Sequence, residues 1–235
     1  MTYYENIVIL TGAGISAESG LDTFRDKGGI WAKYDLMELA TPEAFARNPD
    51  LVHEFYNARR EGVKKVSPNA AHFALAQLEQ SHPGKVTLIT QNVDPLHEKA
   101  GSKNLMHMHG ELNKARCLTC HGVCTWQDDL SRANICPSCG QAGALRPHIV
   151  WFGEMPFHMD DITICLEACD LFISIGTSGS VYPAAGFVQT AHGYGAETVE
   201  LNLEPSDGDR LFSVGHYGKA TKIVPEYIAG LIKQD

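Results

Sequence analysis

Four cysteines stand in two pairs, Cys117 with Cys120 and Cys136 with Cys139, at the spacing C-x2-C-x15-C-x2-C. Each pair can grip one side of a tetrahedral ion, and four thiolates at about 2.3 Å suit Zn2+. Sulfur fills all four positions and leaves no open site for a catalytic water, so the ion is expected to staple the chain and not to act on a substrate. Cys124 is an alternative fifth thiol, otherwise free; Cys165 and Cys169, one turn apart on an expected helix, read as core residues.

A second centre of chemistry is the loop "VILTGAGIS", in which Gly12 and Gly14 follow a strand-like run and open an expected helix. Glycine permits a tight turn and lets backbone N–H groups approach a pyrophosphate, and a helix N-terminus adds positive potential. By itself G-x-G-x-x-A also fits an ordinary strand-to-helix turn. Two further strand exits favour a ligand: "IGTSGS" at 175–180, where Thr177 and Ser178 can donate to phosphate, and "LNLEPS" at 201–206, where Asn202 and Glu204 can hold ribose hydroxyls. Ligands of open α/β sheets bind at such carboxyl ends, so a dinucleotide is expected.

A third centre is the segment "PDLVHEFYNARREG" at 49–62. On a helix Val52, Phe55, Tyr56 and Arg59 follow i, i+3, i+4, i+7, which puts Arg59 on the apolar stripe beside Tyr56. A guanidinium there needs a partner. It can take a substrate carboxylate bidentately, with Tyr56 adding a hydrogen bond, or it can snorkel to water with Arg60 near the helix end.

These groups need a scaffold to hold them. Short runs rich in Val, Ile and Leu at 6–10, 85–90, 104–110, 170–176 and 197–203 read as buried parallel strands. Helical patterns lie between them, including "TPEAFARNPDLVHEFYNARREG", broken at Pro49, and "PNAAHFALAQLEQ". The expectation is an α/β fold, a doubly wound parallel sheet of Rossmann type, with a smaller zinc-ribbon and helical insertion module. The sheet domain is expected over 1–27, 69–110 and 145–235, a helical insertion over 28–68, and the zinc module over 111–144.

With 44% apolar and 20% charged residues, the 235-residue chain reads as an ordinary globular protein. No apolar run approaches the ~20 residues of a membrane span, and "MTYYENIVIL" lacks the features of a signal peptide. The expectations are a cytoplasmic monomer, no membrane, and no regulatory extension before the first strand. Net charge of -9 argues against direct nucleic-acid binding and is compatible with basic protein substrates.

In this order "GAGISAESGLDTFR", "TQNVDPLH", "HMHGEL", the cysteine pairs, "VWFGEMP", "GTSGSVYPAA" and "NLEPS" resemble the sirtuins, NAD-dependent protein-lysine deacylases, across nearly the whole chain. The bacterial short forms, similar to the desuccinylase and demalonylase class, match best. The resemblance implies that NAD is consumed as co-substrate and that one Zn2+ is structural. The acyl-lysine carbonyl oxygen attacks the ribose carbon bearing nicotinamide. A histidine then deprotonates a ribose hydroxyl, which attacks the imidate so formed. Free lysine, nicotinamide and O-acyl-ADP-ribose result.

By the same resemblance His109 is the base and Asn92 orders the ribose and nearby water, while His107 is structural. Cofactor contacts fall on Gly12, Ala13, Gly14, Ser16, Thr23, Phe24, Arg25, Gln91, Asn92, Asp94, Gly176, Thr177, Ser178, Asn202, Leu203, Glu204 and Ala220. Among them Asp94 accepts from the nicotinamide carboxamide and Phe24 shields the reactive centre from water. Val150, Phe152, Gly153 and Glu154 meet an acylated protein or peptide as an added strand, with the Val150 carbonyl accepting a substrate N–H. Tyr56 and Arg59 fit the Y-x-x-R pair of sirtuins that remove succinyl and malonyl groups. Two departures stand out: Asp22 where the family usually has Pro, and Pro95, which biases Asp94 towards an extended backbone. Mono-ADP-ribosyl transfer and a non-catalytic ADP-ribose-binding module are the alternatives.

Overall fold

The structure, a computed structural model, describes residues 4–22 and 36–233. Its strands are β1 (Asn6–Thr11), β2 (Lys85–Thr90), β3 (Leu105–His107), β4 (Gly110–Cys117), β5 (Val123–Thr125), β6 (Leu145–Ile149), β7 (Leu171–Ile175), β8 (Glu197–Asn202) and β9 (Val214–Tyr217). Its helices are α1 (Gly14–Ala17), α2 (Pro42–Arg47), α3 (Pro49–Lys64), α4 (Ala70–Ser81), α5 (Leu96–Ala100), α6 (Met159–Ala168), α7 (Phe187–Gly193) and α8 (Ala220–Ile232). Among the described residues no helix is long and apolar enough to cross a membrane.

The five expected strands all lie in one six-stranded sheet, order β3-β2-β1-β7-β8-β9, and every pairing is parallel. The order runs outwards in both directions from β1 and β7, so the carboxyl ends of these two strands form the switch point where such sheets bind ligands. Alternation along β1 sends Ile7 and Ile9 to a core closed by α4 and α8, and Val8 and Leu10 to one closed by α6 and α7. Both faces are covered, which is why these strands are almost continuously apolar.

Local signals explain the helix limits. Asn48 ends α2 and caps α3, its side chain accepting from the Leu51 N–H, with Pro49 in the first turn where its missing N–H is harmless. Thr41 caps α2 in the same way, and Asn69 with His72 forms a reciprocal capping box on α4.

The second sheet, antiparallel in the order β5-β4-β6, carries the cysteine region. It starts at Gly110 and ends at Ile149, beyond both limits of the expected zinc module. Helix α3 packs on it through a common core of Val52, Phe55, Tyr56, Leu112, Ile149 and Trp151. The two insertions therefore share one core.

Candidate active site

The glycine loop lies at the switch point. The Gly12 N–H donates to the Ile175 carbonyl and the Gly14 N–H to the Gly176 carbonyl, each at 2.9 Å. A Cβ on Gly14 would lie 2.7 Å from the Gly176 Cα, and one on Gly176, whose φ is +62°, would lie 2.5 Å from the Ile15 nitrogen. These glycines are fixed by backbone packing against backbone, before any ligand is considered. Helix α1 is a single turn, so the helix-end potential expected from the sequence is small; backbone N–H groups carry the anion-binding capacity instead. Those of Ala13, Thr177 and Ser178 reach no acceptor among the described residues.

Beyond β2, Gln91, Asn92 and Asp94 turn into the same space. Asn92 is buried, and its Nδ2 donates to the Gly12 carbonyl at 3.1 Å and to Ser16 Oγ at 3.3 Å. That leaves its Oδ1 as an acceptor. Asp94 is buried as well, taking the Ser16 hydroxyl on one oxygen and the Leu96 N–H on the other. Pro95 stands at the N-cap position of α5, and the Asp94 carboxylate before it takes the Leu96 N–H two residues on, an Asx-type turn into the helix. Burial raises the Asp94 pKa against the lowering effect of the Leu96 N–H and the Ser16 hydroxyl.

His109 stands in the turn between β3 and β4, because the strand expected over 104–110 stops at His107. Its Nδ1 faces the Gln91 carbonyl at 3.1 Å. A carbonyl only accepts, so Nδ1 carries the proton and Nε2 keeps a lone pair. Burial lowers the pKa of this imidazole, which keeps it neutral at neutral pH. His107 makes the neighbouring contact, with Nδ1 at 3.2 Å from the Asn92 carbonyl and Nε2 at 2.9 Å from Glu98 Oε1. Both partners are acceptors, so the site favours the charged form of this ring. Burial opposes the charge, but Glu98, Glu111 and the Asn92 carbonyl outweigh it and the pKa is raised. Two histidines thus grip successive carbonyls of the "QNVD" segment.

The substrate-side residues include corrections to the sequence expectation. Strand β6 stops at Ile149, and 152–154 form a turn with Gly153 at φ +86°, so "VWFGE" is not a continuous strand edge. The Val150 N–H continues the ladder to the His109 carbonyl, and the Val150 carbonyl takes no hydrogen bond from any described residue. Phe152 is half exposed, whereas Glu154 turns its carboxylate inwards to Arg116, Arg146 and the Trp151 N–H. Three internal donors use that carboxylate, which leaves Glu154 a positioning group for the loop. Asn202 is also committed internally, Nδ2 to the Thr177 carbonyl and Oδ1 to the Leu203 N–H, so it ties two strand exits together. Leu203 and Glu204 are exposed beside it, and Ala220 opens α8 at the rim of the sheet core. Thr23, Phe24 and Arg25 lie outside the described residues.

On α3, Tyr56 is buried and its hydroxyl accepts from Trp151 Nε1 at 2.9 Å. The Arg59 guanidinium lies 5.7 Å from the Tyr56 ring centroid and 5.8 Å from that of Phe55. Desolvation lowers its pKa, and Tyr56 and Asp94 raise it. Arg60 does not reach water as the snorkelling alternative had it; it is buried. The sequence reading passed over Trp151, Glu98 and Arg146. Only Trp151 carried a signal, an aromatic inside a quoted motif; the other two lie outside every quoted motif and act through His107 and Glu154.

The four cysteines converge. Cys117 Sγ lies 3.7 Å from Cys139 Sγ, and Cys120 Sγ lies 3.7 Å from Cys136 Sγ. A tetrahedral ion with four bonds of about 2.3 Å requires sulfurs about 3.8 Å apart, so the set fits Zn2+. Cys124 is outside the cluster, its thiol directed at the Ala115 carbonyl.

A parallel sheet with a glycine-lined switch point, joined to a four-thiol module, defines a nucleotide-binding α/β protein with a metal-stapled lobe. The Sir2 family profile matches residues 12–183, and the chain belongs to the Sir2 family. The NAD-dependent protein deacylase of Pasteurella multocida (strain Pm70) is 58% identical over 231 residues, spanning 97% of this chain and 99% of that protein. A solved Sir2 homolog–NAD complex is 39% identical, with TM-score 0.90 over 98% of this chain and 91% of that one. The structure of Sir2Af2 bound to a myristoylated histone peptide is 32% identical, with TM-score 0.75 over 98% of this chain and 92% of that one.

Proposed function

We propose that this chain is an NAD-dependent protein-lysine deacylase that removes succinyl and malonyl groups, and acetyl groups as well. The observation that carries the acyl preference is Arg59, whose guanidinium lies against the Tyr56 and Phe55 rings on a helix face otherwise apolar. A carboxylate at the end of the acyl chain would meet a desolvated cation there, with the Tyr56 hydroxyl free to donate because the Trp151 indole already supplies its accepted bond.

When bound, NAD supplies an electrophilic ribose carbon and a nicotinamide leaving group. Around it His109 Nε2 takes the proton of a ribose hydroxyl, its tautomer held by the Gln91 carbonyl. Asn92 Oδ1 orients that ribose, and Asp94 accepts from the carboxamide. The free N–H groups of Ala13, Thr177 and Ser178 hold the pyrophosphate. The Val150 carbonyl receives the substrate backbone N–H. The sheet segments 1–27, 69–110 and 145–235 then carry the cofactor, 28–68 the acyl pocket and 111–144 the zinc staple. Paired cysteines placed as thiolate ligands support a reducing compartment, and the reading is of a cytoplasmic monomer acting on acylated proteins, without nucleic acid or membrane.

Steady-state kinetics on matched acetyl and succinyl peptides test the acyl preference. Arg59→Met should lower kcat/KM for the succinyl peptide about 10- to 100-fold and leave the acetyl value within about threefold. Unchanged succinyl turnover would overturn it.

A further inference from the structure

On α3, Asn57 points away from Arg59 and Arg60 lies one turn beyond Tyr56, and both tie the helix to the zinc module by directed hydrogen bonds. Asn57 and Leu130 pair reciprocally: Asn57 Nδ2 donates to the Leu130 carbonyl, and the Leu130 N–H donates to Asn57 Oδ1, each at 2.9 Å. Arg60 Nη1 donates to the same Oδ1 at 2.8 Å, and Arg60 Nε donates to the Leu112 carbonyl at 2.9 Å. Arg60 is only 1% exposed, so its cation is fixed in the interface. Leu130 belongs to the same small core as Cys117 and Cys136. An unbroken series of contacts therefore runs from the thiolate cluster through Leu130 to α3.

The helix converts that clamp into geometry at the pocket. At 3.6 residues per turn Asn57 and Arg59 point about 160° apart, on opposite sides of one rigid turn. The apolar stripe of α3 fixes its depth but not its rotation, because hydrophobic contact is non-directional. The bonds of Asn57 and Arg60 are directional and fix the rotation. An acetyl group makes no angular demand on Arg59, whereas a carboxylate held by a guanidinium fork does.

We infer that Asn57 and Arg60 are specificity-positioning residues: by clamping α3 to the metal-stapled module they hold Tyr56 and Arg59 in register with an acidic acyl group. This rests on the carboxylate reading of Arg59 given above. Selectivity for succinyl over acetyl lysine is then set in part by two side chains whose hydrogen bonds go to the protein and not to the acyl group.

The test is Asn57→Ala and Arg60→Met, assayed on matched acetyl and succinyl peptides, with zinc content and Tm measured on each variant. The succinyl kcat/KM should fall about tenfold, chiefly through KM, with the acetyl value within about twofold and zinc retained. Asn57→Asp, which keeps the acceptor for Leu130 and Arg60 but loses the donor to the Leu130 carbonyl, should restore part of the ratio. An unchanged succinyl-to-acetyl ratio, or an equal loss on both peptides with zinc retained, would overturn the inference. If Arg60→Met does not fold, Asn57→Ala against Asn57→Asp decides, and equal ratios in those two count against the clamp. Arg59→Met in the same series separates the readings. A succinyl-specific loss there without one in Asn57→Ala removes the clamp alone; no loss in Arg59→Met removes the acyl reading and the clamp with it.

Discussion

Among the described residues the six-stranded sheet has a core of 17 buried side chains on one face and 13 on the other, whereas the module around the cysteines has a core of six, two of them Cys117 and Cys136. The larger region is held chiefly by apolar area. The smaller one is below the size at which a hydrophobic core suffices, and it compensates with four thiolates and with polar links such as Asn57–Leu130 and Arg146–Glu154. Chemistry is divided along the same line. Groups assigned to the dinucleotide sit on strand ends of the larger region, while groups assigned to the acyl chain sit on a helix whose setting depends on the stapled one.

Removing the metal should separate the two regions most sharply. A structural zinc site contributes about 10–16 kcal/mol to folding its own module. Chelation, or Cys136→Ser, should abolish amide protection across β4–β6 and all acyl-peptide turnover, while amides of β1, β2 and β7 stay protected in hydrogen exchange. Collapse of both regions together would show that they form one cooperative unit. The next largest effect is expected inside the sheet region: His109→Ala should lower kcat about 10²- to 10⁴-fold on acetyl and succinyl peptides alike, with Tm and zinc content unchanged. A loss confined to one acyl group would move His109 from the chemistry to the pocket.

A smaller effect concerns pH. Burial lowers the His109 pKa, so the acid limb of kcat/KM should fall below the ordinary histidine value of about 6.5. His107 shifts the other way. Around it lie Glu98 on α5, and Glu111 on β4 with its partner Lys114. A raised folded pKa means that its stabilisation is complete below about 6.5 and is lost as pH rises through the folded value. The Tm advantage of the parent protein over Glu98→Gln should therefore be greatest in mild acid and shrink towards alkaline pH. A pH-independent difference would show that His107 is neutral throughout.

The two regions also differ in how far they could be read from the chain. Strands β1, β2 and β7 were legible because burial on both faces makes them mostly apolar, and β8 because Val199 and Leu201 alternate with polar residues at strand period. Strand β9 was not, since "VGHY" is short, carries a glycine and lies exposed at the sheet edge. Strands β4 and β6 were hidden by Lys114, Arg116, Arg146 and His148; the first three sit in a sheet because Glu111, Glu154 and the Ile149 carbonyl receive them, and His148 stacks on Phe157. At the site, the glycine loop, the "QNVD" segment and the cysteine pairs were readable because each is local in sequence. Asn57 with Leu130, Trp151 with Tyr56 and His107 with Glu98 are pairs that only the fold brings together, and no spacing announces them.

The central claim is that NAD is cleaved here as a co-substrate of deacylation. The direct measurement is mass spectrometry of the protein incubated with NAD and a succinyl-lysine peptide. Nicotinamide, unmodified lysine peptide and O-succinyl-ADP-ribose should appear in equal amounts, and none of them without the peptide. Intact or reduced dinucleotide, or ADP-ribose attached to the peptide with its succinyl group still in place, would contradict it.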